Sequence, residues 1–260
     1  MELEENTNQE NLYEKIQELL GNLKGNLNIL EEQIDIDTQM AYFDTSKELK
    51  KSVDRVDTLN TRHDLFSNHT TIDDKKSLLV KLATIDHVDA FRTLEEYRQN
   101  PDPELKDWAT LAMQESRMLL ESTFLDENQV FISTGLGGKG QKLRYFIVFL
   151  TKDEHIFEEY QKKVIQNEIL YNFKKYDAEV EEIQFSEAFC TIKAIIPIQV
   201  PLNLIFENAI NECNQFGDFL QMNFIVTNVK DLTFDEINDI LKNSHQSDED
   251  EEIDDEYLPD

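Results

Sequence analysis

Basic residues are scarce in this 260-residue chain: 25 Lys and Arg stand against 54 Asp and Glu, a net charge of -29. A field of that sign repels phosphate backbones and anionic lipid heads over most of the surface, which disfavours broad nucleic-acid or membrane binding and favours a basic partner. Only two cysteines occur, Cys190 and Cys213. They form neither a disulfide framework nor a C-x-x-C pair, so both are expected reduced and buried. No apolar run approaches the roughly 20 residues that span a bilayer, the longest being Tyr145 to Leu150. The first residues, MELEENTNQEN, carry neither a positive n-region nor an apolar h-region. The expectation is a soluble, cytoplasmic protein without a membrane partner.

Catalytic signatures are missing as well. The five histidines, at 63, 69, 87, 155 and 245, have no H-x-x-x-H or H-E-x-x-H spacing, so no metal site is expected. Ser133 and Thr134 precede a run of glycines without a G-x-S-x-G elbow. The reading is therefore a non-enzyme that needs no cofactor and has no catalytic residue.

Helical periodicity fills the first half. Leu12, Ile16, Leu19, Leu23, Leu27, Leu30 and Ile34 recur at steps of three and four, and Leu49, Val53, Val56, Leu59, His63 and Phe66 repeat the pattern within residues 38–67. These two segments are read as a helical hairpin, packed on its own chain or paired between chains. Gly21 and Gly25 each cost the first helix about 1 kcal/mol, so it needs a packing partner. Three capped helices follow: from Thr71 or Asp73 to about Ile85, from Asp86 to about Gln99, and from Asp102-Pro103 to about Ser122. The stretch LLVKLATIDHVDAFRTLEEYRQNPDPELKDWATLAM resembles HEAT-type helical repeats, with Leu105, Trp108, Ala109 and Ala112 as inward positions. That resemblance implies a scaffold presenting a surface to another macromolecule. A plain helical bundle satisfies the same pattern.

Beyond Glu127 the texture turns β-branched and aromatic. Strands are expected at 130–134 and 143–151, joined by the turn 135–142, then a helix from Asp153 to about Tyr176, strands at 179–185 and 188–197, a helix from Pro201 to about Asn214, and a strand over 220–226. From Leu143 onward this order matches the ferredoxin-like split βαβ. The strand at 130–134 would be an extra member that displaces a neighbour; a sheet of two hairpin-plus-helix units is the alternative. Thr233 with Glu236, flanked by Leu232 and Ile237, signals a last helix ending near Asn243. The final segment, SHQSDEDEEIDDEYLPD, holds nine acidic residues and no Lys or Arg, and is expected to be a disordered tail. The fold class is thus α+β in two parts: a helical domain over 1–124, a ferredoxin-like α/β domain over 128–243, and an acidic tail over 244–260.

One segment departs from the charge of the rest. The turn GLGGKGQK holds four of the seven glycines, and from Asn128 to Lys152 there is no Asp or Glu. Gly135, Gly137 and Gly140 spell G-x-G-x-x-G, but a strand follows where a dinucleotide site needs a helix, and kinase and Walker motifs are absent. What remains is a candidate anion or partner site of Gly135, Gly137, Gly138, Lys139, Gly140, Lys142 and Arg144, in which backbone amides form a nest reinforced by three cations. Its ligand would be phosphate, RNA or a carboxylate-rich segment, the chain's own tail included; the plain alternative is a hairpin whose glycines only supply positive φ. Two functions follow: a protein-binding adaptor with a basic partner or, as the runner-up, an RNA- or phosphate-contacting factor using the hairpin.

Overall fold

The computed structural model describes residues 27–125, 130–152 and 156–242. It is a mixed helix-and-sheet protein in which helices and strands largely segregate along the chain. Residues 12–26 of the proposed first helix, the Asp153 cap and the acidic tail lie outside the described residues.

The described chain opens as a strand, β1 (Leu27–Ile29), and not as the end of a helix. β1 pairs in parallel with β2 (Val130–Ile132), Asn28 opposite Phe131. Leu27, Leu30 and Ile34 keep the helical spacing noted above, yet Leu30 and Ile34 are buried from a segment that is not helical. Tertiary pairing has overridden a local pattern here. The segment expected as one helix over 38–67 is three pieces. Asp35 caps α1 (Ile36–Leu49), Asp54 caps α2 (Arg55–Asn60), and a 3-10 turn spans Arg62–Phe66. Each Asp accepts two backbone amides, the signal by which new helix starts could be read.

α3 (Ile72–Ala83) starts from a Thr71 cap, and α4 (Val88–Gln99) from His87, one residue beyond the expected Asp86. A 3-10 turn at Pro103–Leu105 leads into α5 (Lys106–Leu125). Asp102 does not cap this helix with its side chain. Its carboxylate instead accepts Lys75 Nζ from α3 and Tyr97 Oη from α4, both at 2.6 Å. These helices enclose one core around Tyr42, Leu65, Leu79, Leu94 and Leu105, with Trp108, Ala109 and Ala112 turned inward as the periodicity requires. Phe131 of β2 packs on this core, so residues 130–132 stand with the helices.

The second core is built on an antiparallel sheet. A two-residue strand β3 (Gly138–Lys139) turns into β4 (Lys142–Thr151), followed by α6 (Glu159–Lys175), β5 (Glu179–Phe185), β6 (Phe189–Pro197), α7 (Leu202–Asn214) and β7 (Leu220–Thr227). β4 is central, flanked by β6 on one side and by β7 on the other, with β5 outside β6. β3 adjoins β4 only at Leu143 and Lys142. The strand at 130–132 does not extend this sheet, and β4 loses no neighbour to it. One sheet face, with Ile147, Phe149, Ile192 and Ala194, buries against Ile165, Ile169 and Phe173 of α6 and Phe206 and Ile210 of α7. The opposite face, with Phe146, Val148 and Phe189, meets Leu136 and Ile237. Ile237 belongs to α8, residues 234–242, whose start is the expected capping box: Thr233 and Glu236 each accept the other's backbone N–H. Hydrogen bonds from Lys230 and Thr233 hold the Glu236 carboxyl down at about 2.

Candidate functional site

The glycines of residues 135–140 are explained first by what lies against them. A Cβ on Gly135 would meet the Val229 carbonyl oxygen at 1.7 Å, one on Gly137 the Glu31 oxygen at 2.4 Å, and one on Gly138 the Lys142 oxygen at 2.3 Å. Here the chain threads between residues 29–32, the loop after β7 and its own return strand, closer than any side chain allows. Gly140 differs: nothing lies within 4 Å of its would-be Cβ, and it is required only by its φ of +60° at the hairpin tip.

Backbone groups are partnered across the same junction. Gly138 N–H donates to the Glu31 carbonyl (3.3 Å) and Leu136 N–H to that of Asn228 (3.0 Å). Gln39 on α1 donates from its amide to the carbonyls of Ile34 (2.8 Å) and Thr134 (3.1 Å), tying the first helix to the entry of the hairpin. Gly140 N–H donates to the Glu31 carboxylate at 2.9 Å. An amide of the expected nest thus does hold an anion, supplied by the chain itself.

The three cations are engaged in the same way. Arg144 makes a two-pronged contact with Glu181, Nε to Oε2 at 2.7 Å and Nη2 to Oε1 at 3.0 Å, while Nη1 donates to the Leu136 carbonyl at 2.7 Å. This planar, bidentate geometry is the strong form of a charge-assisted bond, and it raises the guanidinium pKa further. Lys142 Nζ donates to the Asp177 carbonyl (2.5 Å) and lies 3.1 Å from its carboxylate and 3.2 Å from Glu179. Burial works against the Lys142 charge, but the hydrogen bonds of Asp177 and Glu179 outweigh it and raise its pKa. Asp177 has φ 57°, a left-handed position just past α6 where glycine is usual, and that bend turns its carbonyl toward Lys142. Lys139 reaches the other Glu179 oxygen at 2.9 Å. Hydrogen bonds from Lys139, then Lys142, hold Glu179 below the usual carboxylate range. Only 18% of the Lys142 and Arg144 side chains remains accessible, against 62% for Lys139.

Seven expected site residues therefore do come together. Their counterions, Glu31, Asp177, Glu179 and Glu181, were not part of the sequence reading, because they lie before α1, in the turn after α6 and on β5, far along the chain. Lys193 had a legible signal: it is the one cation in the apolar run FCTIKAIIP. Its Nζ bonds Asp231 at 2.6 Å and lines a small polar groove of about 160 Å³ with Glu182, Gln184 and Thr191. A larger groove, about 320 Å³, lies between α1, α5 and β2, lined by Phe43, Leu111, Glu115, Met118 and Phe131. Glu115 there accepts Tyr42 Oη and Ser46 Oγ, both at 2.7 Å, which leaves it committed to the fold.

Among the described residues there is no cluster of His, Cys, Asp and Glu able to hold a metal, and no helix long and apolar enough to cross a membrane. Cys190 and Cys213 are both free and buried; burial raises both thiols, Cys213 to about 12. No protein-family model and no curated protein matches this chain. Among solved structures, a "putative transposase" from Deinococcus radiodurans R1 aligns with 13% identity and a TM-score of 0.35, covering 41% of this chain and 93% of that one. A likeness that low carries no argument about fold or activity.

Proposed function

We propose that this chain is a non-enzymatic protein-binding module, an adaptor whose partner is a macromolecule with a basic surface. The observation that carries the reading is the internal neutralisation of the hairpin. The acid-free segment 128–152 spends Lys139, Lys142 and Arg144 on Glu179 and Glu181 of the same chain. With those cations engaged, the acid excess of the sequence is what the molecule offers to a partner.

The scaffold has two parts in this proposal. The order β4-α6-β5-β6-α7-β7, the sheet order β7-β4-β6-β5 with every neighbour antiparallel, and the packing of both helices on one face support a ferredoxin-like sandwich. Pairwise packing of α3, α4 and α5 supports a HEAT-like helical unit. The acidic tail at 244–260 is a second contact for the basic partner, and a cytoplasmic setting fits two free, buried thiols.

RNA or phosphate contact at the hairpin, the runner-up, requires an incoming anion to displace Glu181 from a bidentate pair and Asp177 and Glu179 from Lys142. The test is affinity capture at about 0.15 M salt with the full chain and with a form lacking residues 244–260. The expected result is a specific basic protein whose retention falls with salt and with loss of the tail. Recovery of no specific macromolecule, together with turnover of a small metabolite, would overturn the proposal.

A further inference from the structure

The two edges of the antiparallel sheet are treated differently. Strand β5, at one edge, carries Glu179, Glu181 and Glu182 and has a bulge in its pairing with β6, both of which discourage another strand from docking. Strand β7, at the other edge, reads LQMNFIVT, with no charge, no proline and no glycine over eight residues. Among the described residues β7 pairs with β4 alone. Met222 is 44% exposed there, and Asn223 is exposed beside it. An uncharged edge of this length, in a chain about one-fifth acidic, is the feature that proteins ordinarily block.

We infer that β7 pairs antiparallel with β7 of a second copy of this chain, joining two sheets into one across a twofold axis. The strand fits its own copy. An antiparallel register centred on Phe224 sets Met222 opposite Val226, so apolar residues meet on the helix-covered side, and it sets Gln221 opposite Thr227 and Asn223 opposite Ile225 on the other. The same register brings Asp218 of one copy to the end where Lys230 of the other stands. Both are exposed and bonded only to surface partners, Asp218 to Lys152 and Lys230 to Glu236, so each can also face the opposite charge across the axis. A basic partner strand would find no carboxylate along β7, and an acidic one no cation; a second copy needs neither. The contact is isologous, with the same patch on both sides, and so closes at two chains.

Sedimentation equilibrium of the full chain between about 1 and 100 μM, at about 0.3 M salt to screen the like net charges, reads this directly. A concentration-dependent shift from monomer toward dimer mass is expected. Met222→Lys places two lysines at the junction and should weaken the dimer about tenfold or more, with an unchanged thermal melt at concentrations where the chain is monomeric, because the side chain is exposed there. Asp218→Lys should weaken it by setting like charges opposite, and Asp218→Lys with Lys230→Asp should restore it. Monomer mass throughout the range overturns the inference, as does a dimer that Met222→Lys leaves intact. If a variant misfolds, concentration-dependent hydrogen-exchange protection of residues 221–227 in the unaltered chain decides: its presence supports the pairing and its absence refutes it.

Discussion

Replacing Asp102 with alanine should be among the most damaging changes to the helical half, and the reason is the lysine it faces. Lys75 is 5% exposed at its side chain, whereas Asp102 is 34% exposed, so the pair is buried on one side only. Removing Asp102 strands an ammonium group in the core and deprives Tyr97 Oη of its acceptor. Breaking a buried pair costs about 3 kcal/mol at the lower end, the end that suits a partly exposed carboxylate. The lost tyrosine bond adds about 1 kcal/mol. Lys75→Met is the contrasting change. It removes the charge, keeps the apolar stem, and leaves Asp102 with Tyr97 and solvent, at a cost of about 1 kcal/mol. Urea unfolding of the two variants and their combination measures the asymmetry, and the double variant should be more stable than Asp102→Ala alone. Hydrogen bonds from Lys75, then Tyr97, lower the Asp102 pKa from its ordinary 3.8. A depressed carboxylate contributes stability that is present above its unfolded value and lost as pH falls through the folded one. The gap between the unaltered chain and Asp102→Ala should therefore narrow below pH 3.8. Equal costs for Lys75→Met and Asp102→Ala would refute the reasoning.

Other outcomes follow from the same geometry. Gly137→Ala, with φ +70° and carbonyl oxygens of Glu31 and Glu32 at 2.4 and 2.6 Å from the new methyl, should destabilise the fold by more than about 3 kcal/mol in denaturant melts. Gly140→Ala, in open space at φ +60°, should cost only about 1 kcal/mol in the same assay. Cys190 and Cys213, buried and with raised thiol pKa, should react with a thiol-specific dye only at the rate of unfolding, and both should react at once in denaturant. Thr233→Ala should fray the helix at 234–242 for about 1 kcal/mol, read as faster amide exchange around Ile237.

Much of the element list was legible because its signals are local. Strands 179–185 and 189–197 alternate or run apolar between turns, Pro201 opens its helix, and Thr233 with Glu236 forms the box that the spacing names. What failed was decided at long range. Leu27, Leu30 and Ile34 look helical until β2, a hundred residues on, supplies a strand to pair with. Asp102 looks like a cap until Lys75 demands its carboxylate. The hairpin was visible as a glycine-rich, acid-free stretch, and its residues do converge. The acids that occupy it come from Glu31 and from the turn and strand at 177–181, whose proximity only the β4-β6-β5 pairing creates.

The central claim is that the hairpin cations serve the fold and leave the acidic surface to meet a basic partner. Fluorescence anisotropy of a labelled single-stranded RNA, titrated with the full chain at about 0.15 M salt, tests it most directly. The account predicts no saturable binding. A saturable isotherm that disappears in the Lys139, Lys142, Arg144 triple alanine variant, with the variant still folded, would contradict it.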